Sequence, residues 1–91
     1  MLRKTAVIQN EVGLHARPAT YFIQKANEYK SSISIEVGSR CVNAKSLLGV
    51  LSLGVTFGTE ITVIADGVDE EAAVNALVTL VNNKLSEDAG E

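Results

Sequence analysis

The most constraining stretch of the chain is Ile33-Ser34-Ile35-Glu36-Val37, where apolar and polar residues alternate at period two. Side chains on a strand point alternately to opposite faces, so this stretch is a half-buried strand. Gly38-Ser39 follows as a tight-turn signal, and Arg40–Asn43 reads as the returning strand of a hairpin. A sheet that is apolar on one side needs a second layer on that side. The rest of the chain has to supply it.

Helices separate the other strands. Residues 2–8 (LRKTAVI) form a first strand, rich in β-branched and apolar types, and residues 9–13 break the pattern. Pro18 marks the start of a first helix, since its missing N–H is one of the donors left free there. Ala19, Phe22, Ile23, Ala26 and Tyr29 then recur at spacings of three and four, one apolar stripe. A second, short helix fits residues 46–53, with Ser46 as N-cap and Gly54 just past its end. Residues 60–65 (EITVIA) are the last strand, followed by Asp66-Gly67 as a turn. Asp69 caps a final helix carrying Ala73, Leu77, Leu80, Val81 and Lys84. The expected order is βαββαβα. Elements this short predict an α+β fold, an open-faced β-sandwich: a four-stranded, mainly antiparallel sheet with three helices on one face.

With 91 residues the chain suits a single domain, placed at 1–85, with the polar, acidic 86–91 as a frayed tail. Only 4% of residues are aromatic, so packing has to rely on Val, Leu, Ile and Ala. The net charge is -3 with no block of like charges, which gives no nucleic-acid footprint and no membrane anchor. Cys41 is the only cysteine, so no internal disulfide framework exists and a reducing compartment fits. No apolar run has secretory or membrane-spanning length. A cytoplasmic protein is expected.

Charge at the helix starts is unequal. A helix N-terminus carries roughly half a positive charge and free N–H donors, so acidic residues gather there. The last helix follows this rule with Asp69, Glu70 and Glu71. The first does not: from Val12 to Lys25 no acidic residue occurs, and His15 and Arg17 stand at the start. The second also departs from it, with no carboxylate between Glu36 and Glu60 and with Arg40 and Lys45 near the start. Two uncompensated helix starts are candidate anion sites.

His15 is the only histidine and stands just before Pro18. A neutral imidazole is a nucleophile toward phosphorus near neutral pH. The helix charge and Arg17 disfavour imidazolium and would stabilise an attached phosphoryl group. Spacing alone favours an ordinary surface histidine beside an ordinary surface arginine. The stretch Gly13-Leu14-His15-Ala16-Arg17-Pro18-Ala19, however, resembles the active-site signature of HPr, the histidine-containing phosphocarrier family of the bacterial sugar phosphotransferase system. Val42-Asn43-Ala44-Lys45-Ser46-Leu47-Leu48-Gly49-Val50-Leu51-Ser52-Leu53-Gly54 is similar to that family's regulatory serine region. The resemblance runs over nearly the whole chain.

It implies a phosphoryl acceptor at His15, through Nδ1, and a phosphate-coordinating Arg17. It also implies enzyme I as donor and EIIA units of sugar permeases as recipients. Ser46 corresponds to the serine that an HPr kinase/phosphorylase modifies in part of the family, in relation to a transcription regulator of carbon catabolite repression. Leu47, Leu48 and Leu51 are expected to form an exposed docking patch beside His15, with Leu48 foremost and Thr20 nearby. Leu48 and Leu51 replace methionines of several relatives, and Val12 replaces a small polar residue. Catabolite-repression paralogues have the histidine replaced, whereas this chain keeps it. A carrier showing one face to several partners is expected to be a monomer.

Independent enzyme chemistry is not indicated. The sequence has no Cys/His metal cluster and no GxSxG elbow, and its nearest approach to a P-loop, residues 49–54, continues with Val55 where lysine is needed. No cofactor or metal is expected.

Overall fold

A computed structural model of the chain describes residues 1–8, 16–56 and 58–82. The elements are β1 (Leu2–Val7), α1 (Ala16–Ala26), β2 (Ser32–Val37), β3 (Arg40–Asn43), α2 (Leu47–Ser52), β4 (Glu60–Asp66) and α3 (Glu70–Asn82). The order is the expected βαββαβα. The four strands form one sheet in the order β1-β4-β2-β3, and every pairing is antiparallel.

Period-two alternation sets the two faces of this sheet. Ala6, Ile33, Ile35, Ile61, Val63 and Ala65 are buried. In register, Ile35 lies between Val42 of β3 and Val63 of β4. The intervening residues Arg3, Thr5, Ser34, Glu36 and Thr62 take the opposite face. There Arg3 Nη2 reaches Glu36 Oε1 at 2.6 Å, and exposed Cys41 stands opposite Glu36. The helices cover only the apolar face: α3 packs on β1 and β4, α1 on α3, and α2 on α1 and β3. The fold is an open-faced α+β sandwich.

Phe22, Val50 and Leu77 carry the three helices into the core, each fully buried. Among the described residues, Leu77 is the only leucine buried there. Valine, isoleucine and alanine fill the rest, and Leu2, Leu51, Leu53 and Leu80 pack at its margin. Leucine therefore contributes less to the core than the composition led one to expect. Short branched side chains suit a thin layer between a sheet and closely set helices.

Some boundaries differ from the sequence reading. α1 begins at Ala16, two residues before Pro18, because a proline without N–H is tolerated anywhere in the first turn. It ends at Ala26, and Tyr29 N donates to Ala26 O at 3.3 Å in a tightened final turn. β4 runs one residue further, to Asp66. Ile8 leaves β1 but stays buried, its N–H donating to Thr59 O at 2.9 Å. Of the sequence expectations, the break at 9–13, Lys84 and the tail 86–91 lie outside the described residues. No described helix is long and apolar enough to cross a membrane.

Asp69 takes the N-cap position of α3, its carbonyl accepting from Ala73 N at 2.9 Å. Its carboxylate, however, turns to the α1–β2 loop. It accepts from Lys30 N at 2.9 Å, from Ser31 N at 3.0 Å and from the Ser31 hydroxyl. The Ser31 hydroxyl is the main cause that holds the Asp69 carboxyl below its ordinary value, with the Lys30 amide next. Gly67 N donates to Glu70 Oε1 at 3.1 Å, tying the turn that precedes α3 to its first residue.

Candidate functional site

The candidate residues that are described lie on α1 and at or within α2, two helices that pack against each other. The two helices share one property. α1 has no acidic residue in its first turn, and neither does α2. α1 begins at Ala16, the residue that follows His15 in the chain. His15 itself lies outside the described residues. Arg17 is the second residue of α1, and Thr20 is exposed one turn further on.

Ser46 stands at the N-cap of α2 with extended backbone (φ -106°, ψ 118°), and its Oγ accepts from Gly49 N at 3.1 Å. The short polar side chain is suited to this because a helix start leaves its first amides without partners. Leu48 is 81% exposed and Leu47 44% exposed, while Val50 is fully buried. α2 thus plugs the core with one side chain and holds two leucines in solvent. Leu51 does not join them: it is half-buried and packs against the core. The expected patch of three leucines is a patch of two.

Arg40 and Lys45 depart from the sequence reading. Both were expected to leave positive charge at the start of α2. Lys45 Nζ instead donates to Tyr29 O at 2.7 Å, closing the α1–β2 loop. Arg40 lies at the other end of α2, where Nη1 donates to Ser52 O at 2.8 Å and Nη2 to Ser52 Oγ at 3.3 Å. The Ser52 hydroxyl in turn donates to Gly49 O at 2.6 Å. No sequence signal points to this contact, which depends on how the hairpin lies against the helix. Among the described residues no group of His, Cys, Asp and Glu side chains is arranged to hold a metal ion.

Comparison with known proteins is consistent over the whole chain. Residues 2–83 match the family described as PTS-HPr, PTS HPr component phosphorylation site. The HPr-like protein Crh of Bacillus subtilis (strain 168) is 40% identical over 85 residues, which are 93% of this chain and 100% of that protein. The crystal structure of HPr-C-His from Thermoanaerobacter tengcongensis superposes with a TM-score of 0.92 at 45% identity, covering 98% of this chain and 100% of that one. A crystal structure of Bacillus subtilis Crh, described as a dimer with a swapped domain, has a TM-score of 0.75 at 39% identity, covering 96% and 100%.

Proposed function

Because the chain belongs to the HPr family of phosphocarriers, we propose that it accepts a phosphoryl group from enzyme I on His15 and passes it to EIIA units of sugar permeases. The carrying observation is that Gly13-Leu14-His15-Ala16-Arg17-Pro18-Ala19 runs into the start of α1, whose first turn is free of acidic residues. In the reaction, Nδ1 of neutral His15 attacks phosphorus as the bond to the donor breaks, and the reverse exchange loads the recipient. The phosphoramidate keeps a high transfer potential. Arg17 offers paired planar donors to the phosphoryl oxygens, and the helix start adds amide donors and partial positive charge. The reaction needs no cofactor, since the imidazole is itself the nucleophile.

In the same reading, Leu47 and Leu48 are the apolar contacts that partners cover, with Thr20 on α1 and the margin of Leu51 beside them. Ser46 is the regulatory position, modified by an HPr kinase/phosphorylase and read by a transcription regulator of catabolite repression. The chain works in the cytoplasm as a single copy, presenting one face to successive partners. The domain-swapped dimer described for Crh is the other form, which size-exclusion chromatography with light scattering distinguishes.

The 40% identity to an HPr-like protein named Crh favours a second reading, a regulatory module without transfer duty. Mixing the protein with enzyme I and labelled phosphoenolpyruvate separates the two. Acid-labile, base-stable label that disappears in His15→Ala supports the carrier. No label, with tight binding to a transcription regulator, supports the module.

A further inference from the structure

We propose that Arg40 is a positioning residue for partner docking, reaching from β3 to close the C-terminal end of α2 and so fix how Leu47 and Leu48 are presented. The proposal rests on the reading of α2 as the docking element. A six-residue helix cannot hold its own shape in water, because the cost of its first turn is spread over too few bonds. Among α2 residues only Val50 is buried, and no basic residue stands in the last turn to meet the free carbonyls. Arg40 supplies that charge from twelve residues away. Its guanidinium meets Ser52 twice, at the carbonyl (2.8 Å) and at the hydroxyl (3.3 Å).

The effect extends along the helix to its weakest point. Gly49 has the poorest helix propensity in α2. Its N–H is taken by Ser46 Oγ at 3.1 Å and its carbonyl by the Ser52 hydroxyl at 2.6 Å. The N-cap serine and the Arg40–Ser52 clasp therefore hold the two peptide units that flank Gly49. Arg40 is exposed, so its removal leaves the Val50 plug and the core in place. What it releases is the last turn of α2, whose amides Leu53 N and Gly54 N bond Val50 O and Leu51 O. A partner then has to order that turn as it binds, which lowers affinity without touching the transfer chemistry.

The test compares Arg40→Gln and Arg40→Lys with the wild type. In Arg40→Gln, amide hydrogen exchange at Leu53 and Gly54 should quicken about tenfold, the scale of one charge-assisted hydrogen bond, with little change in melting temperature. With enzyme I and phosphoenolpyruvate, KM for the chain should rise by about threefold to tenfold at unchanged kcat. Arg40→Lys, which keeps one charged donor, should recover part of both. Unchanged exchange at Leu53 and Gly54 overturns the clasp, and faster exchange at unchanged KM overturns its docking role. A wild type that enzyme I does not phosphorylate overturns the carrier reading and the docking role together, while the exchange data still decide the clasp.

Discussion

Gly67 carries no side chain for a reason that lies 36 positions earlier in the chain. A Cβ there would stand 2.6 Å from Ser31 Oγ and 2.7 Å from Ser31 Cα, closer than real contacts allow. The Gly67→Ala substitution should therefore cost about 1–3 kcal/mol, read from urea unfolding, as the α1–β2 loop is pushed away. Ser46 illustrates a residue whose role is local. Its hydroxyl caps Gly49 N, and Ser46→Ala should cost about 1 kcal/mol. Ser46→Asp restores an acceptor and adds negative charge at a helix start, so it should melt no lower than wild type. A clearly lower melting temperature would remove the N-cap argument for modification at this site. Ser46 was legible in the sequence because a cap and its helix are neighbours. The carboxylate of Asp69 was not, because Ser31 is 38 residues away and only the fold brings them together.

At the scale of the element, α2 leaves Leu48 and Leu47 in solvent and packs Leu51 against the core. Leu48→Ser should leave stability within about 0.5 kcal/mol of wild type, since its side chain is already in solvent. The same change should weaken partner binding, measured by titration calorimetry with enzyme I. Leu51→Ser should show the opposite pattern and lower stability, because Leu51 packs on the core. Equal destabilisation by both would contradict the orientation of the helix. The apolar run Leu47–Leu53 reads in the sequence as having too many hydrophobic residues for one face. Which of them turns outward depends on the pairing of α2 with α1 and β3, and sequence periodicity over six residues does not resolve it. The longer helices, with stripes such as Ala19, Phe22 and Ala26, were readable in both position and face. The first residue of α1 was not, since proline is compatible with several places in a first turn, whereas Asp69 marked the start of α3.

For the molecule as a whole, the link between loops sets how it responds to acid. Asp69, bonded to the Ser31 hydroxyl and the Lys30 amide, has its carboxyl lowered from the ordinary value of 3.8. A group lowered by folding adds stability that is fully present above its unfolded pKa and is lost as pH falls through the folded one. Glu70, lowered by the Gly67 amide and then by the chain's N-terminal amine, acts with the same sign. Melting temperature should thus fall more steeply below about pH 4 in the wild type than in Asp69→Asn. Parallel acid limbs for the two proteins would show that this contact carries no linkage. The order of elements and the one-sided sheet were both readable from period-two alternation and helix stripes. Strand order was less so, because β4 enters between β1 and β2 by a pairing that local residues do not encode.

That one-sided sheet has a practical consequence. The natural thiol of Cys41, the chain's only one, shares the bare side of the sheet with Glu36 and Arg3, while the described helices lie on the other side. A fluorophore or nitroxide attached there is a reporter that no engineered cysteine is needed to carry. It leaves the helical surface free for whatever the protein meets.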